Sequence, residues 1–283
     1  MKPFKINRIL IPLDLSENSM IALEHGSFMA RLFKADIVLV HIIEAKVMTI
    51  DLGKVSASDR KSAAEIVQTR LDEIARDVKV NTGAKVTTVV KAGKIAKMIK
   101  EASEEYEVDM ILMGTHGVSG FEEFFIGSNA FRVVTEAKCP VLSVQKHTTK
   151  PGFERILLPI DSSEASLEKV RYAAEIAKKY NSIICILGIL SIADDDAAAK
   201  LEIRLEQVEK YLEKKDVNYE SSVVEGENLA TVTLKQAKKQ KADLICIMTE
   251  QEENFTGLFL GPFAQQVVNH SKIPVLSIKP LVE

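Results

Sequence analysis

The chain alternates short, unbroken apolar runs with longer stretches in which apolar residues recur every three or four positions. The apolar runs fall near 8–13, 36–43, 85–91, 109–113 and 140–145, and again near 154–160, 182–190, 219–224, 243–248 and 274–279. Runs that are apolar throughout, instead of alternating, predict strands covered on both faces, and helical stretches such as 19–33 and 63–79 lie between them. Strand and helix in strict alternation predict an α/β fold with doubly wound parallel sheets.

The pattern occurs twice. INRILIPLDLSENSMIALEHGS answers to FERILLPIDSSEASLEKVRYAA, matching Pro12 to Pro159 and Asp14 to Asp161 at an offset of 147. Farther on, VDMILMGTHG answers to ADLICIMTEQ and AKCPVLSV to SKIPVLSI, matching Asp109 to Asp243 and Pro140 to Pro274 at an offset of 134. The fall of 13 places extra length in the first half, mostly after Ile43 in EAKVMTIDLGKVSASDRKS, where a loop or short helix over the strand ends is expected. Between the copies, HTTKPGFE breaks the periodic pattern and reads as a linker. The boundary is therefore near residue 150, with domains at 1–148 and 149–283.

Composition narrows the function classes. With 283 residues, 46% hydrophobic and 27% charged, the chain has the balance of two soluble globular domains. A net charge of −3 and a pI near 6.1 give no general attraction for nucleic acid or an anionic membrane. No apolar run is long enough to span a bilayer, and the amino-terminal apolar stretch is too short for a signal peptide, so a cytoplasmic protein is expected. Cys139, Cys185 and Cys246 are far apart, and with His25, His41, His116, His147 and His270 they show no metal-ligand spacing. They read as small core residues in a reducing compartment, and no protein-built metal site is expected.

The candidate chemistry lies in MGTHGVSGFEEFFIGSN, from Met113 to Asn129. Gly114 and Gly117 follow a predicted strand, and Gly127-Ser128 precedes a predicted helix over 129–137. Glycines let a backbone approach an anion closely, and a helix amino end offers free amides and partial positive charge. A plainer reading stays open: the glycines turn a tight loop, Ser128 caps a helix, and Asp14 with Ser16 forms an ordinary helix-start signal that Asp161 and Ser163 repeat. His41, in an apolar run, reads as a satisfied core histidine.

These residues resemble the universal stress protein family in tandem, over nearly the whole chain. The resemblance rests on Gly114, Gly117, Gly127 and Ser128 at the family's spacing, on Pro12-Leu13-Asp14 after the first strand, on Leu39-Val40-His41-Ile42, and on Cys139-Pro140-Val141-Leu142-Ser143-Val144. It implies two Rossmann-like, adenine nucleotide alpha hydrolase-like domains that pair through their closing strands as an intramolecular pseudo-dimer, with further dimerisation open. It further implies an adenine nucleotide: Pro12 lining the base pocket, Asp14 beside the adenosine, the Ile42 backbone at the adenine edge, and Met113 among the binding residues. Gly114, Thr115, His116 and Gly117 would wrap the ribose and first phosphate, and Gly127, Ser128 and Asn129 would hold the remaining phosphates.

One departure bears on the ligand. No Lys or Arg stands between Gly117 and Arg132, and Glu122-Glu123 makes the segment acidic, so ATP with Mg²⁺ is expected with AMP or ADP as alternatives. The second half has lost the signature: Met248, Gln251, Pro262 and Phe263 stand where Gly114, Gly117, Ser128 and Asn129 stand in the first, and only Gly261 survives. One nucleotide per chain and a structural second half follow. The expected function is a nucleotide-binding stress or signalling module that acts on an unknown protein partner. The alternatives are a slow ATPase or phosphotransferase, which would need a positioned nucleophile and charge stabilisation not evident from spacing, and a ligand-free scaffold.

Overall fold

The computed structural model describes residues 4–44, 57–115, 126–148, 150–190, 197–249 and 260–280, and for 57–63 the backbone alone. Residues from Ile6 to Pro151 supply the bulk of one compact unit, and those from Gly152 onward the bulk of the other.

The first unit runs β1 (Arg8–Pro12), α1 (Glu17–Phe33), β2 (Asp36–Glu44), α2 (Ala57–Thr82), β3 (Val86–Gly93), α3 (Ile95–Glu105), β4 (Met110–Gly114), α4 (Ser128–Glu136) and β5 (Val141–Val144). Its strands are all parallel, in the order β3-β2-β1-β4-β5. The second unit runs β6 (Arg155–Ile160), a 3-10 turn (Ala165–Leu167), α5 (Val170–Tyr180), β7 (Ile183–Leu190), α6 (Ala197–Lys215), β8 (Tyr219–Glu225), α7 (Leu229–Lys239), β9 (Leu244–Met248), α8 (Pro262–His270) and β10 (Val275–Ile278). Its parallel order, β8-β7-β6-β9-β10, is the same.

The central strands are apolar because helices cover both faces: Ile9, Leu10 and Ile11 of β1, and Ile156, Leu157 and Leu158 of β6, are all fully buried. The outer strand β8 instead exposes Glu220, Ser221, Val223 and Glu225, as an edge with one solvated face should. The duplicated aspartates bind each sheet in register. Asp109 accepts from the amides of Asn7 (2.6 Å) and Arg8 (2.9 Å), and Asp243 from those of Glu154 (2.7 Å) and Arg155 (3.0 Å). Each carboxylate thus ties the start of a first strand to the strand beside it.

The segment after Ile43 departs from expectation. Its last residues, from Ala57, are the opening turns of α2, which is 26 residues long against 19 for α6. No Gly or Pro interrupts the chain from there to Gly83, whose φ of 71° ends the helix. Residues 45–56 lie outside the described residues. The cysteines form no disulfide, and Cys185 and Cys246 are fully buried. Burial pushes the thiols of Cys139 and Cys246 up to about 12, so they stay protonated and unreactive.

Candidate functional site

In the first unit the chain winds from β1 outward through β2 to β3, then returns to place β4 and β5 on the other side of β1. β1 and β4 therefore flank the point where the winding reverses, the place where open α/β sheets form a crevice beyond the carboxyl ends of their strands. The predicted residues Pro12, Asp14, Met113, Gly114, Thr115, Gly127, Ser128 and Asn129 all lie at the ends of β1 and β4 or at the start of α4. His116 and Gly117 lie outside the described residues.

The loop after β4 is closed at its neck. Gly114 pairs with Val144 in register, the Thr115 amide donates to the Val144 carbonyl (3.1 Å), and the Gly127 amide donates to the Thr115 carbonyl (2.7 Å). Thr115 is 2% exposed, so it anchors the neck and does not present its hydroxyl to solvent. Gly127 is the N-cap of α4 and supplies no side-chain acceptor. Ser128, read from sequence as a possible cap, is instead the first helical residue and is exposed. The amides of Ser128, Asn129 and Ala130 thus have no intrahelical acceptor.

The end of β1 is held by two contacts to β2. The Leu13 amide donates to the Val40 carbonyl (2.8 Å), and Nδ1 of His41 donates to the Leu13 carbonyl (2.7 Å). His41 is thus a satisfied histidine, but half-buried and beside the crevice, fixing the backbone that carries Asp14. Because Val40 turns its carbonyl toward β1 and strand direction alternates with period two, Ile42 turns its amide and carbonyl to the same side, past the end of β1. Among the described residues β1 ends before it reaches Ile42, while the strand on the other side, β3, continues in register with it.

Asp14 has a local role. Its Oδ1 accepts from the amide (3.0 Å) and hydroxyl (2.5 Å) of Ser16, and Ser16 Oγ accepts from the Ser19 amide (3.2 Å) to cap α1. Asp161, Ser163 and Ser166 repeat this arrangement at 2.9, 2.5 and 3.3 Å. The helix-start reading therefore accounts for the duplication of the aspartate.

Sequence reading missed Asn18. It is 5% exposed, and a Cβ at Gly114 would lie 2.8 Å from its Nδ2 and 3.0 Å from its carbonyl oxygen. The signal that could have found it is the duplicate, where Asn18 becomes Ala165 as Gly114 becomes Met248. A groove of about 730 Å³ between α1 and α2, floored by Leu23, Ile74 and Val78, shares none of the predicted site residues. Among the described residues no cluster of three or more His, Cys, Asp or Glu gathers to hold a metal, and no helix is long and apolar enough to cross a membrane.

The second unit keeps the backbone frame and changes its contents. Met248 pairs with Ile278, the Thr249 amide donates to the Ile278 carbonyl (2.8 Å), and the Gly261 amide donates to the Thr249 carbonyl (2.9 Å). Gly261 caps α8 as Gly127 caps α4, but Pro262 occupies the first helical position and has no amide hydrogen. Lys169, at the position of Ala22, is 1% exposed; burial lowers its pKa, with the Asp161 carboxylate and Cys246 acting in the opposite sense.

The chain is 31% identical over 142 residues to Universal stress protein MJ0531 of Methanocaldococcus jannaschii, covering 49% of this chain and 82% of that protein. It is 23% identical over 289 residues to a universal stress protein of Mycolicibacterium smegmatis, covering 96% and 97% of the two. A solved universal stress protein from Archaeoglobus fulgidus shares the fold, with a TM-score of 0.77 at 23% identity over 98% of each chain. The pattern of the Universal stress protein family itself matches residues 5–145 and again 152–279. The chain therefore belongs to the universal stress protein family and carries its domain in two consecutive copies.

Proposed function

We propose that the protein is an adenine-nucleotide-binding stress-response regulator whose first domain holds one ATP and whose second domain is structural. The observation that carries this reading is the contrast between two matching necks. Gly127 to Thr115 and Gly261 to Thr249 close the same frame, but the first has three helix-start amides without an intrahelical acceptor and the second has Pro262 among them. Free amides at a helix start, aligned with the helix dipole, suit phosphate oxygens.

In this reading Pro12 and Met113 flank the adenine and the backbone of Ile42 meets its edge. Asp14 takes a ribose hydroxyl through the carboxylate oxygen that Ser16 does not use. Gly114, Thr115, His116 and Gly117 bring backbone to the ribose and first phosphate, and Gly127, Ser128 and Asn129 hold the outer ones. Mg²⁺ reaches the protein through the phosphates, offsetting charge in a segment without Lys or Arg between Gly117 and Arg132. Binding changes the contacts made with a protein partner; hydrolysis is no part of the proposal.

The test is the nucleotide that copurifies with the full chain, identified after denaturation, followed by calorimetry with added ATP, ADP and AMP with and without Mg²⁺. ATP bound more tightly with Mg²⁺ is expected. Equal affinity with and without the metal removes Mg²⁺ from the account, tighter AMP or ADP changes the ligand, and no binding of any of the three overturns it.

A further inference from the structure

Gly114 ends β4 directly beneath Asn18: a Cβ at Gly114 would lie 2.8 Å from Nδ2, 2.9 Å from Cγ and 3.0 Å from the carbonyl oxygen of Asn18. Such distances leave no room for any side chain at Gly114 unless the helix or the asparagine moves. The middle of α1 also lies close to the sheet: a Cβ at Gly26 would lie 2.4 Å from Cδ1 of Ile11, the end of a side chain that can shift. Helix α1 thus lies in backbone contact with the sheet where β4 delivers its end to the crevice.

The second unit shows what happens when that contact is replaced. Strand registers place Met248 opposite Ile278 as Gly114 is opposite Val144, so the positions correspond in space as well as in sequence. The residues above it, Ala165 and Lys169, stand for Asn18 and Ala22, and Ala173 for Gly26. Met248 and Lys169 are 0% and 1% exposed. The capping bonds from Asp161 and Ser163 are the same as those from Asp14 and Ser16, yet the helix that follows is not. α1 begins at Glu17, one residue after its cap, whereas the equivalent stretch in the second unit is a 3-10 turn over Ala165–Leu167 with α5 starting only at Val170. With the cap unchanged, the differences lie in the turn itself, where Ala165 stands for Asn18, and in the strand end, where Met248 stands for Gly114.

We propose that Asn18 is a positioning residue for the ligand of the first domain. Its contact with Gly114 sets the separation between the first turn of α1 and the end of β4, and so the width of the crevice between Asp14 and Thr115. The Ala165 and Met248 pair sets a different separation in the second domain, a reason independent of Pro262 for that domain not to take the same ligand. This inference rests on the proposed nucleotide reading.

The test measures Mg²⁺-ATP affinity and thermal stability for Asn18→Ala, Gly114→Ala and the double variant of the full chain, with Ala165→Asn as a control. Gly114→Ala should weaken binding at least tenfold and Asn18→Ala several-fold. The double variant should bind more tightly than Gly114→Ala alone, because the smaller side chain at position 18 removes the conflicts with Nδ2 and Cγ and leaves only the 3.0 Å approach to the carbonyl oxygen. Ala165→Asn, set above Met248, should lower stability and leave affinity unchanged, which separates positioning from general loosening. Independent, multiplying losses in the double variant, or loss of affinity in Ala165→Asn equal to that in Gly114→Ala, would overturn the positioning role while leaving the nucleotide reading intact. A wild-type chain that binds no nucleotide overturns both.

Discussion

The amide of Gly127 donates to the carbonyl of Thr115 at 2.7 Å, joining the first residue before α4 to the first residue after β4. That bond closes a loop on a narrow neck and aims the start of α4 back at the end of the strand. Gly127 has φ −58° and ψ 145°, extended values that suit a residue preceding proline.

Ser128→Pro follows from this geometry. Gly261, which precedes Pro262, has nearly the same dihedrals, φ −56° and ψ 152°, so the substitution copies the second domain into the first without backbone strain. Proline is well tolerated at the first helical position, so thermal stability should stay near that of the wild type. Loss of one amide to phosphate should weaken ATP binding by about 10- to 100-fold, the worth of a hydrogen bond to a charged group. Calorimetry paired with a melting curve checks both parts, and unchanged affinity would remove the α4 amides from the site.

Asp14→Ala and Asp161→Ala separate two roles of one motif. Each aspartate buttresses the serine that caps the following helix, so each variant should lose about 0.5–2 kcal/mol of stability, read by denaturant unfolding. Only Asp14→Ala should also weaken nucleotide binding. Equal affinity in both variants would leave Asp14 with the helix-start role alone.

Lys169→Met should stabilise the second domain. The ammonium is buried without an ion pair among the described residues, and burial lowers its pKa from the ordinary 10.5. A depressed pKa on a base means that protonation favours the unfolded chain, so the penalty grows as pH falls below 10.5 and is complete below the folded pKa. At pH 7 the methionine variant should be more stable by about 1–4 kcal/mol, with the gain shrinking toward pH 10.5. A destabilised variant at pH 7 would mean that the ammonium has a compensating partner.

His25 should confer an acid sensitivity. It is 2% exposed and donates from Nε2 to the Thr148 carbonyl at 3.0 Å, and burial lowers its pKa from 6.5 against the opposing effects of that bond and of Glu24. Above pH 6.5 the imidazole is neutral in both states and contributes nothing to the pH dependence. As pH falls below 6.5 the unfolded chain takes up the proton first, and stability falls by up to about 1.4 kcal/mol per pH unit until the folded pKa is reached. His25→Gln, which keeps a donor for Thr148, should flatten the melting temperature across this window; a slope equal to that of the wild type would contradict the assignment.

The fold was legible because its signals are local and repeated. All ten predicted strands are observed within a residue or two of their expected bounds, since unbroken apolar runs leave little choice of element. Helix α2 was read short because its first turns, ASDRKSA, carry no apolar stripe, and only the absence of Gly or Pro betrays them. At the site, the glycines and the helix start were visible from spacing, but the contacts that decide their roles were not. Asn18 lies 96 positions from Gly114 and looks like any polar residue in a first helical turn, and His41 looks like core until its ring is found on the Leu13 carbonyl. Such pairs depend on how helix and strand are brought together, which periodicity does not specify.

The central claim is that one of two matching frames holds a nucleotide. Native mass spectrometry of the full chain titrated with Mg²⁺-ATP counts the ligands directly, on the wild type and on Ser128→Pro. The account predicts saturation at one nucleotide per chain and its loss in the variant; two nucleotides per chain, or one that survives Ser128→Pro undiminished, would contradict it.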